Sequence, residues 1–295
     1  MRHHDRAHAS GCQSPHAALP PGTAHLKDID MSSTNPLGTA LVTGASSGIG
    51  AVYADRLARR GHDLVLVART GERLQALATR ITAQTGRHVE VLAADLTKPR
   101  DQLRIAERLQ SDDGIGVLVN NAGFNIASPI VDSSPDRMDE MIQLNVVALT
   151  RLAHAVAPRL AKRGRGAIIN ISSIAAIAPA LLNGAYGGTK AYVLNFTEAL
   201  QHEIGAKGVR VQAVLPGATR TDFWALAGLP VEHLPSEIVM SAEDMVDASL
   251  VAFDQGEVVT IPALPDLAVW TSFEAARAAL GPFLSSRKPA ARLSA

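Results

Sequence analysis

The chain has one cysteine, Cys12. It can close no disulfide within itself and offers no multi-cysteine metal site, which fits a reducing compartment. Aromatic residues make up only 4% of the sequence, too few to build a base-stacking platform for nucleic acid. An excess of charge is also missing: Lys+Arg and Asp+Glu number 28 each, so there is no bulk attraction to nucleic acid or to an anionic membrane surface. No apolar run approaches the roughly 20 residues of a membrane-spanning helix, and the start of the chain lacks the apolar stretch of about 7–15 residues found in a secretory signal. Together these absences predict a cytoplasmic protein with no nucleic-acid partner and no membrane span.

What is present is apolar material. Hydrophobic residues account for 47% of 295, enough for one sizeable core. Residues 1–37 scatter His3, His4, His8, His16 and His25 among Pro, Ala, Ser and Gly with no helical or strand period, and are expected to form a disordered tail. Their irregular spacing does not suit a metal site. Met31 is an alternative start of translation.

From Gly38 onward, short aliphatic runs alternate with longer helical patterns. Ala40–Thr43, Leu64–Ala68, Val89–Ala93, Gly116–Asn120, Ala167–Ile171, Val209–Leu215 and Val258–Ile261 read as strands, and 48–60, 71–85, 99–111, 135–162, 185–205 and 241–254 as helices. Strands that are apolar throughout imply a sheet covered on both faces, hence parallel strands with flanking helices. The expectation is a single doubly wound α/β domain of Rossmann type over 38–264, with a seven-stranded parallel sheet and a C-terminal helix and tail over 265–295. In such sheets ligands sit beyond the carboxyl ends of the strands, where strand order reverses.

Directly after the first strand stands Thr43-Gly44-Ala45-Ser46-Ser47-Gly48-Ile49-Gly50. Glycines at this spacing let the backbone turn tightly and approach a pyrophosphate at the amino end of the next helix. A dehydrogenase preferring NAD would carry a carboxylate at the end of the second strand to bind the ribose hydroxyls. Here that position holds Arg69, with Arg73 one helical turn on. A permanently charged donor fork suits a 2′-phosphate, so the cofactor predicted is NADP(H). Asp95 and Leu96 follow the third strand, Asp95 either capping the coming helix or hydrogen-bonding an adenine. Asn120, Asn121, Ala122 and Gly123 follow the fourth, the asparagines satisfying backbone groups at the strand end and Gly123 leaving room for the cofactor.

Ser173 follows the fifth strand, and Tyr186 and Lys190 stand four apart at the start of the next helix. Residues at i and i+4 share a helical face. An ammonium beside a phenol favours the phenolate and draws its pKa down from about 10, which is what a tyrosine acid/base requires. Asn145, inside the preceding long helix, is placed to open that helix locally and hold a water. A Tyr-x-x-x-Lys pair alone is common surface decoration; its company here is what singles it out.

On these elements the chain resembles the short-chain dehydrogenase/reductase family over about 38–262. Thr43, Gly44, Gly48 and Gly50 match its glycine motif, Asn120 to Gly123 its Asn-Asn-Ala-Gly element, and Asn145, Ser173, Tyr186 and Lys190 its active-site tetrad. Pro216, Gly217, Thr219 and Thr221 match the element that contacts the nicotinamide carboxamide and phosphates. The resemblance implies hydride transfer between a nicotinamide and a carbonyl or alcohol, without a metal. Ser173 and Tyr186 would hydrogen-bond the substrate oxygen. Lys190 would tune the tyrosine and hold the nicotinamide ribose, and Asn145 would hold a water leading to solvent.

Substrate-facing positions are expected at Phe124, at Ile174 to Leu182, and in a lid from Phe223 to Leu234 carrying Phe223, Trp224, Leu226, Leu229 and Leu234. They are mostly apolar and suit a medium-sized hydrophobic carbonyl compound or alcohol. A 3-oxoacyl thioester reductase would use the same tetrad. A cofactor-bound sensor or scaffold would have no need of it. Helices 135–162 and 185–205 carry apolar residues over more than one face, which predicts a homodimer or homotetramer.

Overall fold

The computed structural model describes residues 38–293. The tail expected over 1–37, with its histidines and Met31, lies outside them. Among the described residues the aliphatic runs form strands β1 (Thr39–Thr43), β2 (Leu64–Ala68), β3 (Val89–Ala93), β4 (Ile115–Asn120), β5 (Gly166–Ile171), β6 (Val209–Val214) and β7 (Val259–Thr260). They join in one sheet of order β3-β2-β1-β4-β5-β6-β7, and every pairing is parallel. Strand order reverses between β1 and β4, which opens a crevice above their carboxyl ends.

Successive side chains of a strand point to opposite faces, and here both faces are buried. Ala40 and Val42 of β1, with Val117 and Val119 of β4, face one apolar layer. Leu41 and Leu118 face the other. The first layer is closed by helices α1 (Gly48–Arg59) and α2 (Gly71–Thr85), through Tyr53, Leu57, Leu74 and Ile81. The second is closed by α3 (Pro99–Ser111), with Ile105 and Leu109. This two-sided cover is why the strands are apolar throughout rather than alternating.

The helix expected over 135–162 is not continuous. It divides into α4 (Pro135–Ile142), a π-helical turn at Gln143–Ala148 and α5 (Leu149–Arg163). Periodicity continues across the break, so the apolar pattern alone did not reveal it. The chain then runs through α6 (Gly184–Ile204), a short α7 (Phe223–Leu226), α8 (Ala242–Asp254) and α9 (Leu267–Ala278). Leu152 and Val156 of α5 and Leu200 of α6 complete the second layer; Met245, Val246 and Leu250 of α8 complete the first. Helix α9 is tied to α6 by Arg277, which pairs with Glu198 at 2.8 Å. No helix among the described residues is long and apolar enough to cross a membrane.

Leu118, on the central strand beside the crevice, has no exposed surface. Leu118→Ala should lower the unfolding free energy by about 2–5 kcal/mol, the range for emptying a leucine site in a packed core. Urea denaturation measures it, and a loss well below 1 kcal/mol would show that the layer re-packs around the cavity.

Candidate active site

The crevice is built first by glycines. After β1 the chain turns through Gly44 at φ 64° and Gly48 at φ 53°, left-handed values that side chains disfavour. A Cβ at Gly50 would stand 2.3 Å from the Gly44 carbonyl oxygen and 2.6 Å from the Asn121 amide nitrogen. Helix α1 therefore meets the turn at backbone distance. Its N-cap residue, Ser47, makes no side-chain cap bond, and no acid stands in the first turn. The leading N–H groups are left to an external acceptor, which suits a pyrophosphate.

The turn is then stitched to β4. Thr43 Oγ1 accepts the N–H groups of Asn121 (2.9 Å) and Ala122 (3.0 Å) and donates to the Val119 carbonyl (3.3 Å). The Asn121 side chain donates to the carbonyls of Thr43 (3.0 Å) and Gly44 (3.2 Å). Asn121 thus satisfies backbone groups, as expected from sequence. Asn120 does something else: it donates to Asn170 (3.0 Å), which in turn donates to Thr197 (3.0 Å), a buried chain joining β4, β5 and α6. Gly123 lines the cavity, as expected, and also makes room for neighbouring polar groups. A Cβ there would come within 2.9 Å of the Asn145 amide oxygen and 3.6 Å of Lys190 Nζ, so the room it leaves is filled first by the protein's own polar groups.

Asn145 sits inside the π-helical turn, where the sequence placed a local opening. Its amide oxygen accepts from the Phe124 N–H (3.1 Å), and its nitrogen donates to the Phe124 carbonyl (3.0 Å) and to Thr189 Oγ1 (3.1 Å). Both amide hydrogens are therefore committed, and one lone pair on the oxygen is left for a further partner. Helix α6 starts at a cap not foreseen from the sequence: Asn183 accepts from the Ala185 N–H at 2.8 Å. The signal was an Asn-Gly pair ahead of an apolar period. Gly187, which reads as a soft spot in a helix, brings α6 close to the turn after β5, since a Cβ there would lie 3.3 Å from the Ala175 carbonyl.

Ser173, Tyr186 and Lys190 meet at the floor of a cavity of about 810 Å³, all three buried. Lys190 Nζ donates to the Ile171 carbonyl at 2.8 Å and lies 5.7 Å from the centre of the Tyr186 ring. The Ser172 hydroxyl donates to the Lys190 carbonyl at 2.7 Å. Burial dominates the electrostatics. It pushes the Tyr186 phenol up to about 12, with the Ser173 hydroxyl pulling part of the way back, and pushes Lys190 down to about 8. The expectation that Lys190 draws the phenol down is thus not met by the protein groups alone. Desolvation acts on both side chains at once and drives each toward its neutral form.

Of the other expected residues, Gly44, Ser47, Gly48, Ile49, Asn121, Ala122, Gly123, Phe124, Pro216, Gly217, Thr219, Thr221, Phe223 and Trp224 line the same cavity. Thr43, Ser46, Gly50 and Asn145 lie outside the lining, Thr43, Gly50 and Asn145 fixing the loops that form it. Arg69 and Arg73 are exposed and stand outside the lining; Arg73 pairs with Asp222 at 3.7 Å. The Asp95 carboxylate accepts from the Thr97 N–H (3.0 Å) and hydroxyl (2.8 Å) in the turn ahead of α3, whose N-cap is Lys98, so Asp95 does not cap that helix; Leu96 belongs to the second apolar layer. The lid is pinned at its base, where Arg220 N–H donates to the Met240 carbonyl and Met240 N–H to the Ala218 carbonyl, each at 2.9 Å. Trp224 anchors it by donating to the Thr219 carbonyl at 2.9 Å, and Phe223 stands 6.0 Å from the Tyr186 ring.

Residues 38–228 match the family model of the short chain dehydrogenases. The chain belongs to that family. A short-chain dehydrogenase from Sphingobium yanoikuyae, solved in complex with NADPH, is 48% identical over 87% of this chain and 100% of its own, with a TM-score of 0.85. A bulky-bulky ketone specific alcohol dehydrogenase from Comamonas testosteroni is 43% identical over 88% and 100% of the two chains, with a TM-score of 0.82. The human 17-beta-hydroxysteroid dehydrogenase type 3 is 39% identical over 184 residues, 62% of this chain and 59% of that protein. The chain therefore aligns with less than two thirds of the human relative's length.

The buried lysine predicts a pH dependence of stability. Lys190 has an ordinary value of 10.5 and a folded value of about 8, so in the interval between them the unfolded chain binds more protons here than the folded one. Stability contributed by this site rises with pH through that window. Tyr186, ordinary 10.0 and held up to about 12, opposes the rise once the unfolded phenol ionises. Denaturation of the protein and of Lys190→Met, followed from about pH 7 to about pH 10, should show the unmodified protein gaining on the variant as pH increases. A difference that stays flat or shrinks would contradict the downward shift of Lys190.

Proposed function

We propose that the chain is an NADP(H)-dependent oxidoreductase that interconverts a bulky, apolar ketone and its secondary alcohol. The observation that carries this reading is the meeting of Ser173, Tyr186 and Lys190 at the floor of an apolar cavity whose other wall is the glycine turn. The phosphate-bearing cofactor is favoured by Arg69 after β2, by Arg73 in the first turn of α2, where Asp222 offsets part of its charge, and by the NADPH complex of the Sphingobium relative. Ketone size is supported by the volume and lining of the cavity and by the substrate class of the Comamonas relative.

The bound nicotinamide supplies or takes up the hydride. The protein supplies the rest. Ser173 and Tyr186 donate hydrogen bonds to the carbonyl oxygen, and these strengthen as charge develops on it, the effect of a preorganised oxyanion site. Tyr186 then transfers its phenolic proton to that oxygen. Lys190, with an ammonium that gives up its proton near neutrality, holds positive charge beside the phenolate that remains and relays a replacement proton. Asn145 positions Phe124 and α6, and its remaining lone pair suits the water that would link Lys190 to solvent. The lid of Phe223, Trp224 and Leu226 excludes bulk water from the reacting atoms. Self-association through the outer faces of α4 to α6, where Ile142 and a stacked Tyr192–Phe196 pair reach the surface, belongs to the same proposal.

Turnover of bulky ketones, followed by loss of NADPH absorbance, tests the reading. Tyr186→Phe keeps the ring and removes the proton donor, so the rate should fall by about 10²–10⁴-fold while NADPH still binds. Arg69→Ala should erase most of the preference for NADPH over NADH, a charge-assisted pair being worth about 1.5–3 kcal/mol. Near-full rate in Tyr186→Phe would refute the assigned chemistry, and equal affinity for the two cofactors in the unmodified protein would refute the cofactor assignment.

A further inference from the structure

The cavity is apolar along most of its length, and charge enters its lining at three residues: Lys190, Asp222 and Glu237. Lys190 is committed at the floor, where it donates to the Ile171 carbonyl. Asp222, one residue before α7, is offset by Arg73 at 3.7 Å. Glu237 lies in the 3₁₀ turn Ser236–Ile238 of the lid, and its one polar contact among the described residues is the Ser236 hydroxyl at 3.5 Å. Glu237 is exposed, as are Leu181, Leu226 and Ile238 of the same cavity lining. Arg137 lies over the Phe124 ring but outside the lining, and its guanidinium is tied to Glu140; Arg220 is exposed and also outside the lining.

An exposed carboxylate in the wall of a cavity acts on a passing charge through a field that water and salt partly screen, so its effect is modest and depends on ionic strength. We infer that Glu237 makes the cavity selective by charge: it admits neutral ketones, favours those bearing a cationic group such as an ammonium, and turns away anions, including keto acids and thioesters of phosphate-bearing carriers. This rests on the ketone-reducing reading above and narrows its substrate class. It also separates that reading from the 3-oxoacyl thioester alternative, because a coenzyme-linked thioester brings several negative charges past Glu237.

The test is a matched series on the full-length protein: one aryl alkyl ketone, the same ketone with a terminal carboxylate, and the same ketone with a terminal trimethylammonium. Each kcat/KM with NADPH is taken relative to the neutral ketone, for the unmodified protein, Glu237→Gln and Glu237→Lys. The unmodified protein should rank ammonium above neutral above carboxylate, with steps of about 3–10-fold that shrink as salt is added. Glu237→Gln should compress the ranking and Glu237→Lys should invert it. The same three compounds are also titrated by tryptophan fluorescence, Trp224 being part of the cavity wall, so that binding is read without turnover. Turnover with no charge ranking, or a ranking that Glu237→Lys leaves intact, overturns the selectivity and spares the proposed reaction. A charge ranking in binding without turnover of any ketone upholds the selectivity and overturns the proposed reaction. Neither turnover nor a ranking in binding overturns both.

Discussion

The crevice exists because two strand ends are tied together at one hydroxyl. Thr43 takes two backbone N–H groups from the chain leaving β4 and gives its own proton back to that strand. Asn121 closes the tie in the other direction. Across a switch point neighbouring helices go to opposite faces of the sheet, so beyond the β1–β4 ladder these side chains set the separation of the two loops. With them fixed, the glycine turn, the Phe124 wall and the floor residues acquire definite positions. Gly50 is the steric counterpart of the tie, since its missing side chain is what allows the two loops to touch.

The second constraint is electrostatic. A lysine and a tyrosine buried side by side each resist carrying charge, and the shifts of both run toward neutrality. Such a pair is poorly solvated before any substrate arrives, which is the condition under which a small change in local charge moves a proton. The backbone does much of the holding: Ile171 and Ser172, at the end of β5, grip both ends of the lysine residue through its ammonium and its carbonyl. Rigid placement of this sort fixes reacting groups without further reorganisation.

The strands were legible because most are short aliphatic runs bounded by glycine or polar residues, as burial of both faces demands of the central ones; β3, with Glu90, lies at the sheet edge and is only partly buried. The site was legible where chemistry demands a residue type at fixed spacing: the glycine turn, Tyr186 with Lys190, and Ser173 at a strand end. Less legible were groups whose partners are distant in sequence. The bond from Asn120 to Asn170 and the clasp of Asn145 on Phe124 depend on which loops become neighbours, and a local pattern does not carry that information. The π-helical turn was signalled by Asn145 as a local opening, but its winding was hidden because apolar residues on more than one face mask a phase shift in the period. The pKa of Tyr186 ran opposite to expectation because sequence spacing shows a neighbouring charge but not the degree of desolvation. Glu237 passed unremarked for a related reason: it lies beyond the expected lid of 223–234, and only the folded chain brings it into the cavity lining.

The π-helical turn has a consequence for how this protein tolerates insertion and deletion. An α-helix advances about 100° per residue, and one surplus residue is taken up in a wider turn instead of being passed along the axis. Helices α4 and α5 therefore keep one spatial phase although their sequence periods are offset by a residue. Loss of a single residue between Gln143 and Ala148 would close the wide turn to regular winding while leaving the two helices where they are. Met141 would keep its buried place beside Tyr186, and Asn145 would lose the opening from which it reaches Phe124. A segment that looks like the middle of an ordinary helix is in this respect among the parts of the chain where length matters more than composition.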